Sequence, residues 1–128
     1  MRLVAGLTLA LLLAIPQVWA KADAQATQEV EYLIDFVASS GCQFNRNGSA
    51  HDPEDAADHL RLKFRRGEKY VDTAEHFIDR LASESSWTGR DYTVNCESGT
   101  FNTGSWLHEA LKNYRAGQLA PQTPAQDS

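Results

Sequence analysis

The sequence is short of reaction motifs. It has no Gly-x-Ser-x-Gly elbow, no phosphate-binding loop, no Rossmann fingerprint, no haem-attachment motif and no Ca²⁺-binding loop. Cysteine is scarce. Cys42 and Cys96 are the only two, and no C-x-x-C occurs, so neither a redox pair nor a zinc knuckle is encoded. Positive charge is scarce as well: 12 Lys and Arg face 17 Asp and Glu, for a formal net charge of −5. An acidic chain without a long basic tract is a poor nucleic-acid binder. No apolar run after the N-terminal twenty residues is long enough to cross a membrane. At 128 residues the chain fits one domain with a modest core.

The first twenty residues, MRLVAGLTLALLLAIPQVWA, carry Arg2, an apolar run from Leu3 to Ile15, and Val18-Trp19-Ala20 as a small-x-small cleavage signal. This pattern predicts a secretory signal peptide over 1–20 and a periplasmic destination, with no membrane anchor after cleavage. The run falls short of the roughly 20 residues a spanning helix needs. In an exported chain two cysteines most simply form one disulfide. Two unpaired buried thiols are the alternative.

Hydrophobic periodicity then places the elements. Val30, Leu33, Ile34 and Val37 make a helical stripe over 26–40, with Thr27 as N-cap, Gly41 just past the C-terminus, and Glu29, Glu31 and Asp35 off the stripe. Asn47-Gly48 is a strong hairpin turn. Asp52 caps a helix that opens on Pro53 and ends at Gly67, with Glu54 and Asp55 in its first turn, Lys63, Arg65 and Arg66 in its last, and Ala56, Leu60 and Phe64 as its buried edge. Asp72-Thr73-Ala74-Glu75 reads as a capping box for a third helix to about Ser83. A second strand pair is expected near 92–102. A final helix follows, capped by Thr103 or Ser105, with Trp106, Leu107, Ala110, Leu111 and Tyr114 inward. Gly48, Asp52 and Leu60 recur at a spacing of 51 as Gly99, Thr103 and Leu111. If that echo is real, two hairpins pair into one antiparallel sheet covered by helices, and the disulfide ties them together. The expected fold is a single α+β domain over 26–115, about four helices packed on one or two short antiparallel hairpins. A disordered tail is expected over 116–128.

His51 and His59, with Asp52, Asp55 and Asp58, form a loose metal-like group, but the spacing fits no tight zinc pattern. A solvated acidic first turn explains the aspartates without a metal. His59 and Lys63 share a helix face and could border a groove. As a general base His59 would need an orienting carboxylate, for which Glu75 is the candidate. Arg61, Lys63, Arg65, Arg66 and Lys69 are the one basic cluster; helix C-terminal charge complementarity is the plainer account, phosphate or carboxylate binding the functional one. Ser83, Ser85, Ser86 and Thr88 read as caps and turns. Trp87 and Trp106 could line a sugar-binding surface, though core or lid roles are commoner for such residues.

Several segments together carry a family resemblance: Phe44-Asn45-Arg46-Asn47-Gly48, His51, His59-Leu60-Arg61-Leu62-Lys63, Asp72-Thr73-Ala74-Glu75, Phe77-Ile78-Asp79, Ala82-Ser83, Ser85-Ser86, Thr88-Gly89 and Tyr92. On these the chain resembles the YfeK-like proteins, small exported bacterial proteins with a domain of unknown function. The likeness spans roughly Glu29 to Tyr114. It implies a periplasmic α+β domain, and it carries over no catalytic or ligand residue.

The resulting expectation is a periplasmic, non-enzymatic binding or interaction protein without a cofactor. Its binding patch would be Arg46, His51, His59 and Lys63, and its partner another envelope protein or an anionic envelope polymer. A small hydrolase or transferase with His59 as base is the alternative, and metal storage or transfer a third reading.

Overall fold

The computed structural model describes residues 23–119 together with isolated positions 6, 10 and 14. Apart from those three positions, the expected signal peptide lies outside the described residues, as does the expected tail beyond residue 119. Helix α1 spans Ala24–Ser39 and leads into the hairpin of β1 (Gln43–Arg46) and β2 (Ser49–His51). Helix α2 (Pro53–Gly67) and a 3₁₀ turn over Glu68–Tyr70 follow. A short helix, α3 (Ala74–Phe77), widens into a π-helical turn over Ile78–Ala82. A second hairpin, β3 (Thr93–Cys96) and β4 (Gly99–Asn102), runs straight into α4 (Thr103–Leu119). The fold class is α+β, as expected: among the described residues, four helices and one sheet in a single domain.

The two hairpins do pair. The sheet is antiparallel with order β2-β1-β3-β4. Phe44 lies opposite both His51 and Val94, and Val94 opposite Phe101. The first hairpin turns on Asn47 (φ 52°) and Gly48 (φ 82°). Two successive positive φ values are what a two-residue turn needs to follow the right-handed twist of its strands. Side chains alternate across the pleat, so Phe44 and Val94 are buried under the helices while Gln43, Asn45 and Asn95 face solvent.

The predicted stripe of α1 is the centre of the core. Val30, Leu33, Ile34 and Val37 are all fully buried. Around them pack Ala57, Leu60 and Phe64 of α2, Ala74, Phe77 and Ile78 of the third helix, and Leu107, Ala110 and Leu111 of α4. Tyr32 stacks on Tyr114 at 4.1 Å between ring centroids, and Trp106 seals the sheet side against Phe36 (4.7 Å) and Phe44 (5.7 Å). Of the expected edge of α2, Leu60 and Phe64 are buried, with Ala57 rather than Ala56.

Several boundaries differ from the sequence reading, each for a local reason. Helix α1 is capped by Asp23, whose carboxylate accepts the Ala26 N–H at 2.8 Å, so it starts before Thr27. The third helix is capped by the Thr73 hydroxyl, which accepts from His76 N–H, rather than by Asp72. Its last stretch is π-helical, with the Ser83 hydroxyl donating to the Ile78 carbonyl five residues back. Neither Thr103 nor Ser105 caps α4 through its side chain: Thr103 N–H donates instead to the Tyr92 carbonyl, and its hydroxyl has no partner. Helix α4 also continues to Leu119, so the first four residues of the expected tail are helical. A Cβ on Gly104 would collide with the Ser83 side chain, so the start of α4 needs glycine where it crosses the loop after the third helix.

Two contacts tie distant parts of the chain. The first is the disulfide Cys42–Cys96, the pairing that the two cysteines most simply allow. Because Gln43 lies opposite Asn95, Cys42 and Cys96 continue the β1–β3 register with Cα atoms 4.5 Å apart, the spacing of a non-hydrogen-bonded antiparallel pair. The second was not legible in the sequence. Glu29, placed off the apolar stripe of α1, is buried at 5% exposure, and Arg115 of α4 reaches over it. Arg115 donates through Nε and a terminal nitrogen to the two oxygens of Glu29, at 2.6 and 3.0 Å, and through its other terminal nitrogen to Glu75. These hydrogen bonds raise the Arg115 pKa further, and the guanidinium holds the Glu75 carboxyl below its ordinary value. One cation thus ties α1, α3 and α4 together.

Two stability predictions follow from these ties. The disulfide closes a loop of 54 residues, for which the chain-entropy model gives about 4 kcal/mol. Reduction, or Cys42→Ala with Cys96→Ala, should lower Tm by on the order of 20 °C in differential scanning calorimetry. Arg115→Ala leaves the Glu29 carboxylate buried without a counter-charge, and should cost about 2–3 kcal/mol in urea unfolding because the site is only partly enclosed. Adding Glu29→Gln to Arg115→Ala should recover part of that loss. A double variant no more stable than Arg115→Ala would refute the buried-charge account.

Candidate functional site

Strand alternation and helix periodicity bring the four candidate residues together. On β1, Arg46 follows Phe44 by two residues and so emerges on the same sheet face. On β2, His51 lies opposite Phe44, which puts it on that face too. On α2, His59 and Lys63 are one turn apart, beside the buried Leu60 and Phe64 that anchor the helix to the core. The helix therefore presents its His59–Lys63 edge to Arg46 and Asn47, at the turn of the first hairpin. Arg46, His51 and His59 line a cavity of about 30 Å³ floored by Phe44, Leu60 and Tyr92. Arg46, His59 and Lys63 line an adjoining groove of about 200 Å³, closed on its other side by Tyr92 and Trp87.

Tyr92 is a part of the site that the sequence reading left as the start of a strand. The β1–β3 register sets Asn45 opposite Thr93, so the next residues along, Arg46 and Tyr92, come to lie side by side. Lys63 Nζ donates to the Tyr92 hydroxyl at 3.4 Å and sits 5.2 Å from the centre of its ring. Burial pushes the Tyr92 phenol up.

The electrostatics of the groove are one-sided. Among the described residues neither Arg46 nor Lys63 forms an ion pair. Burial, then the Arg46, Lys63 and His51 charges, lower the His59 pKa to about 4, so its imidazole is neutral at pH 7. Burial and Arg46 lower the Lys63 ammonium as well. His59 Nε2 and the 2%-exposed Thr103 hydroxyl are both buried without a hydrogen-bond partner, and both residues line the small cavity.

The proposed orienting carboxylate does not reach His59. Glu75 is held by Arg115 in a separate depression with Asp23 and Glu29. The physical reason is that the bidentate Glu29–Arg115 pair fixes the guanidinium beside Glu75, in a depression that His59 does not line. Among the described residues no group of three His, Cys, Asp or Glu side chains converges as a metal site. Of the remaining basic cluster, Arg61 is taken by Asp58 at 3.2 Å and Asp35 at 3.6 Å, and Lys69 lies over the Tyr70 ring.

The serine-rich loop is built as the groove's wall. Ser85 is buried, and its hydroxyl accepts from the N–H groups of Trp87 and Thr88 and from the Asn47 side-chain amide. The Thr88 hydroxyl donates back to Asn47 Oδ1 at 2.8 Å. Ser85 N–H to Arg90 carbonyl and Tyr92 N–H to Ser83 carbonyl close its base, both at 2.9 Å. Asn47 therefore makes the hairpin turn and also clamps this loop to it. These serines are turn-makers, as their sequence context suggested. At the loop's tip Trp87 is 97% exposed, while Trp106 is the one that packs in the core.

Comparison with known proteins adds identity but no activity. Over 84 residues the chain is 43% identical to "Uncharacterized protein YfeK" of Salmonella typhimurium, an alignment that takes in 65% of this chain and 69% of that protein. No solved structure matches it. The model of a family of unknown function, DUF5329, matches residues 24–115, which takes in all but the last turn of α4, and the chain belongs to that family.

Proposed function

We propose that the protein is an exported binding protein, and that the Arg46–His51–His59–Lys63 patch captures an anionic group on an envelope partner without chemical turnover. One observation carries this reading: Arg46, His59 and Lys63, from a strand and a helix, line one groove, His51 joins Arg46 and His59 at the adjoining cavity, and no carboxylate among the described residues lines either. The chain as a whole is acidic, so an isolated cluster of this sign is a local feature of the site. Burial first, and then the neighbouring charges, depress His59 and Lys63. An anion in the groove relieves that repulsion, and the guanidinium of Arg46 offers a fork for carboxylate or phosphate oxygens. Export is supported by the apolar N-terminal run with its small-x-small signal, and by a disulfide, which persists in oxidising compartments.

Titration with inorganic phosphate, followed by amide chemical shifts, should give saturable changes at Arg46, His51, His59 and Lys63. Arg46→Ala combined with Lys63→Met should abolish them while leaving Tm within a few degrees. The absence of any saturable shift in the wild-type protein would sink the reading.

The pH dependence is also fixed by His59. Its folded pKa of about 4 lies below the ordinary 6.5, so between those values the unfolded chain binds more protons and stability rises with pH. Acidification from pH 6.5 to 4 should therefore remove on the order of 1–2 kcal/mol, after allowance for solvent screening. His59→Gln should flatten that part of the stability–pH curve in urea titrations.

A further inference from the structure

The groove that holds the cations has a wall with no evident structural purpose. Among the described residues Trp87 is the most exposed large hydrophobic, at 97%, so its indole adds nothing to the core. Its backbone is nevertheless tightly held. Ser85 receives its N–H, Asn47 clamps the loop on both sides through Ser85 and Thr88, and the bridge between Glu84 and Asp91 closes the base. A rigid loop that carries a bare indole presents a preorganised flat face to solvent, and preorganisation lowers the entropy cost of binding. That face borders the same groove as Arg46, Lys63 and Tyr92.

The surroundings decide what kind of ligand suits it. A protein partner calls for a cluster of apolar and aromatic anchors that bury together. Here Trp87 is the one exposed aromatic of its groove, since Tyr92 is 8% exposed, and Ser86 beside it offers a hydroxyl. A lone aromatic face edged by such a group suits a sugar ring, whose C–H face packs on the π surface while its hydroxyls hydrogen-bond at the rim. The groove of about 200 Å³ lies below the roughly 300–1,000 Å³ of drug-sized sites, so it accommodates a single ring rather than a long segment. The unpaired cations beyond it supply the charge complement.

We propose that this groove binds an acidic sugar residue of a glycan, with the ring stacked on Trp87 and its carboxylate or phosphate held by Arg46 and Lys63. The proposal rests on the anion-site reading above and adds the chemistry of what carries the anion. Trp87 acts as a positioning surface, and Tyr92 holds Lys63 over the anion.

The test is isothermal titration with chemical-shift mapping of the full exported protein. The probes are tetragalacturonate for a carboxylate sugar and glucose 1-phosphate for a phosphate sugar, against maltotetraose and tetraglutamate. Either acidic sugar should shift the Trp87 indole N–H and bind at least tenfold more tightly than both controls. Which of the two binds more tightly identifies the anion. Trp87→Ala should weaken acidic-sugar binding at least tenfold at unchanged Tm, while inorganic phosphate still perturbs Arg46 and Lys63. If Trp87→Ala leaves affinity unchanged, or tetraglutamate binds as tightly as the acidic sugars, the glycan assignment is overturned and the anion site stands. Loss of phosphate binding as well would overturn both.

Discussion

The pairing of β1 with β3 is the contact on which everything else depends. A two-stranded hairpin alone is marginal in water, and this chain has two short ones. Joined edge to edge they make a four-stranded sheet with one apolar face, where Phe44 and Val94 meet the helices. Nearly fifty residues of chain separate the two strands, so the loop-closure cost of this pairing is high. The disulfide falls at the end of that ladder, where it removes much of the cost by constraining the unfolded chain. The same pairing sets Tyr92 beside Arg46 and lets Asn47 reach Ser85 and Thr88. The groove is thus a consequence of strand register, and it has no existence in either hairpin alone.

Charge is treated in two opposite ways within this small domain. Arg115 is met by two carboxylates, Glu29 and Glu75, and the result holds three helices together. Arg46 and Lys63 stand without ion pairs among the described residues, even though acidic side chains outnumber basic ones in the chain. Leaving cations partly desolvated and close enough to depress a neighbouring histidine is unfavourable in the free protein. A structural role would be better served by a partner of the Glu29 kind. Uncompensated charge beside a cavity is the feature on which the anion-site proposal rests.

The parts of the fold legible in the sequence are those governed by local rules. Pro53 after Asp52, Gly67 at the end of α2, Asn47-Gly48 in the turn and the Val30–Val37 stripe all stand where propensity and periodicity put them. The i, i+4 spacing of His59 and Lys63 likewise made their shared face readable. What was not legible depends on a partner from elsewhere in the chain. Glu29 looks solvent-facing until Arg115 covers it from α4. Thr103 looks like a cap, but its N–H joins the Tyr92 carbonyl, α4 begins at Thr103 itself, and its buried hydroxyl has no partner. Glu75 looks free to orient His59 until the guanidinium claims it. In each case a tertiary contact outbid a local preference, and no short-range pattern records such contacts.

The internal echo bears on whether the cationic groove is incidental. Its true spacing is fifty, one less than the glycine match suggests: Gln43 and Thr93, Ser49 and Gly99, and Pro53 and Thr103 open corresponding elements. At that spacing the core is shared, since Phe44 matches Val94, Ala57 matches Leu107 and Leu60 matches Ala110, all of them buried. The site residues are not shared. Arg46, His51, His59 and Lys63 correspond to Cys96, Phe101, Glu109 and Asn113. Two units built on one hairpin–helix plan therefore agree where burial dictates the residue and diverge where it does not. The plan needs apolar side chains at the matched core positions, and α4 satisfies it with no histidine or lysine at the positions matching the site. The core plan therefore does not call for the positive charge on the first unit, and under the anion-site proposal an external counter-charge would offset its cost.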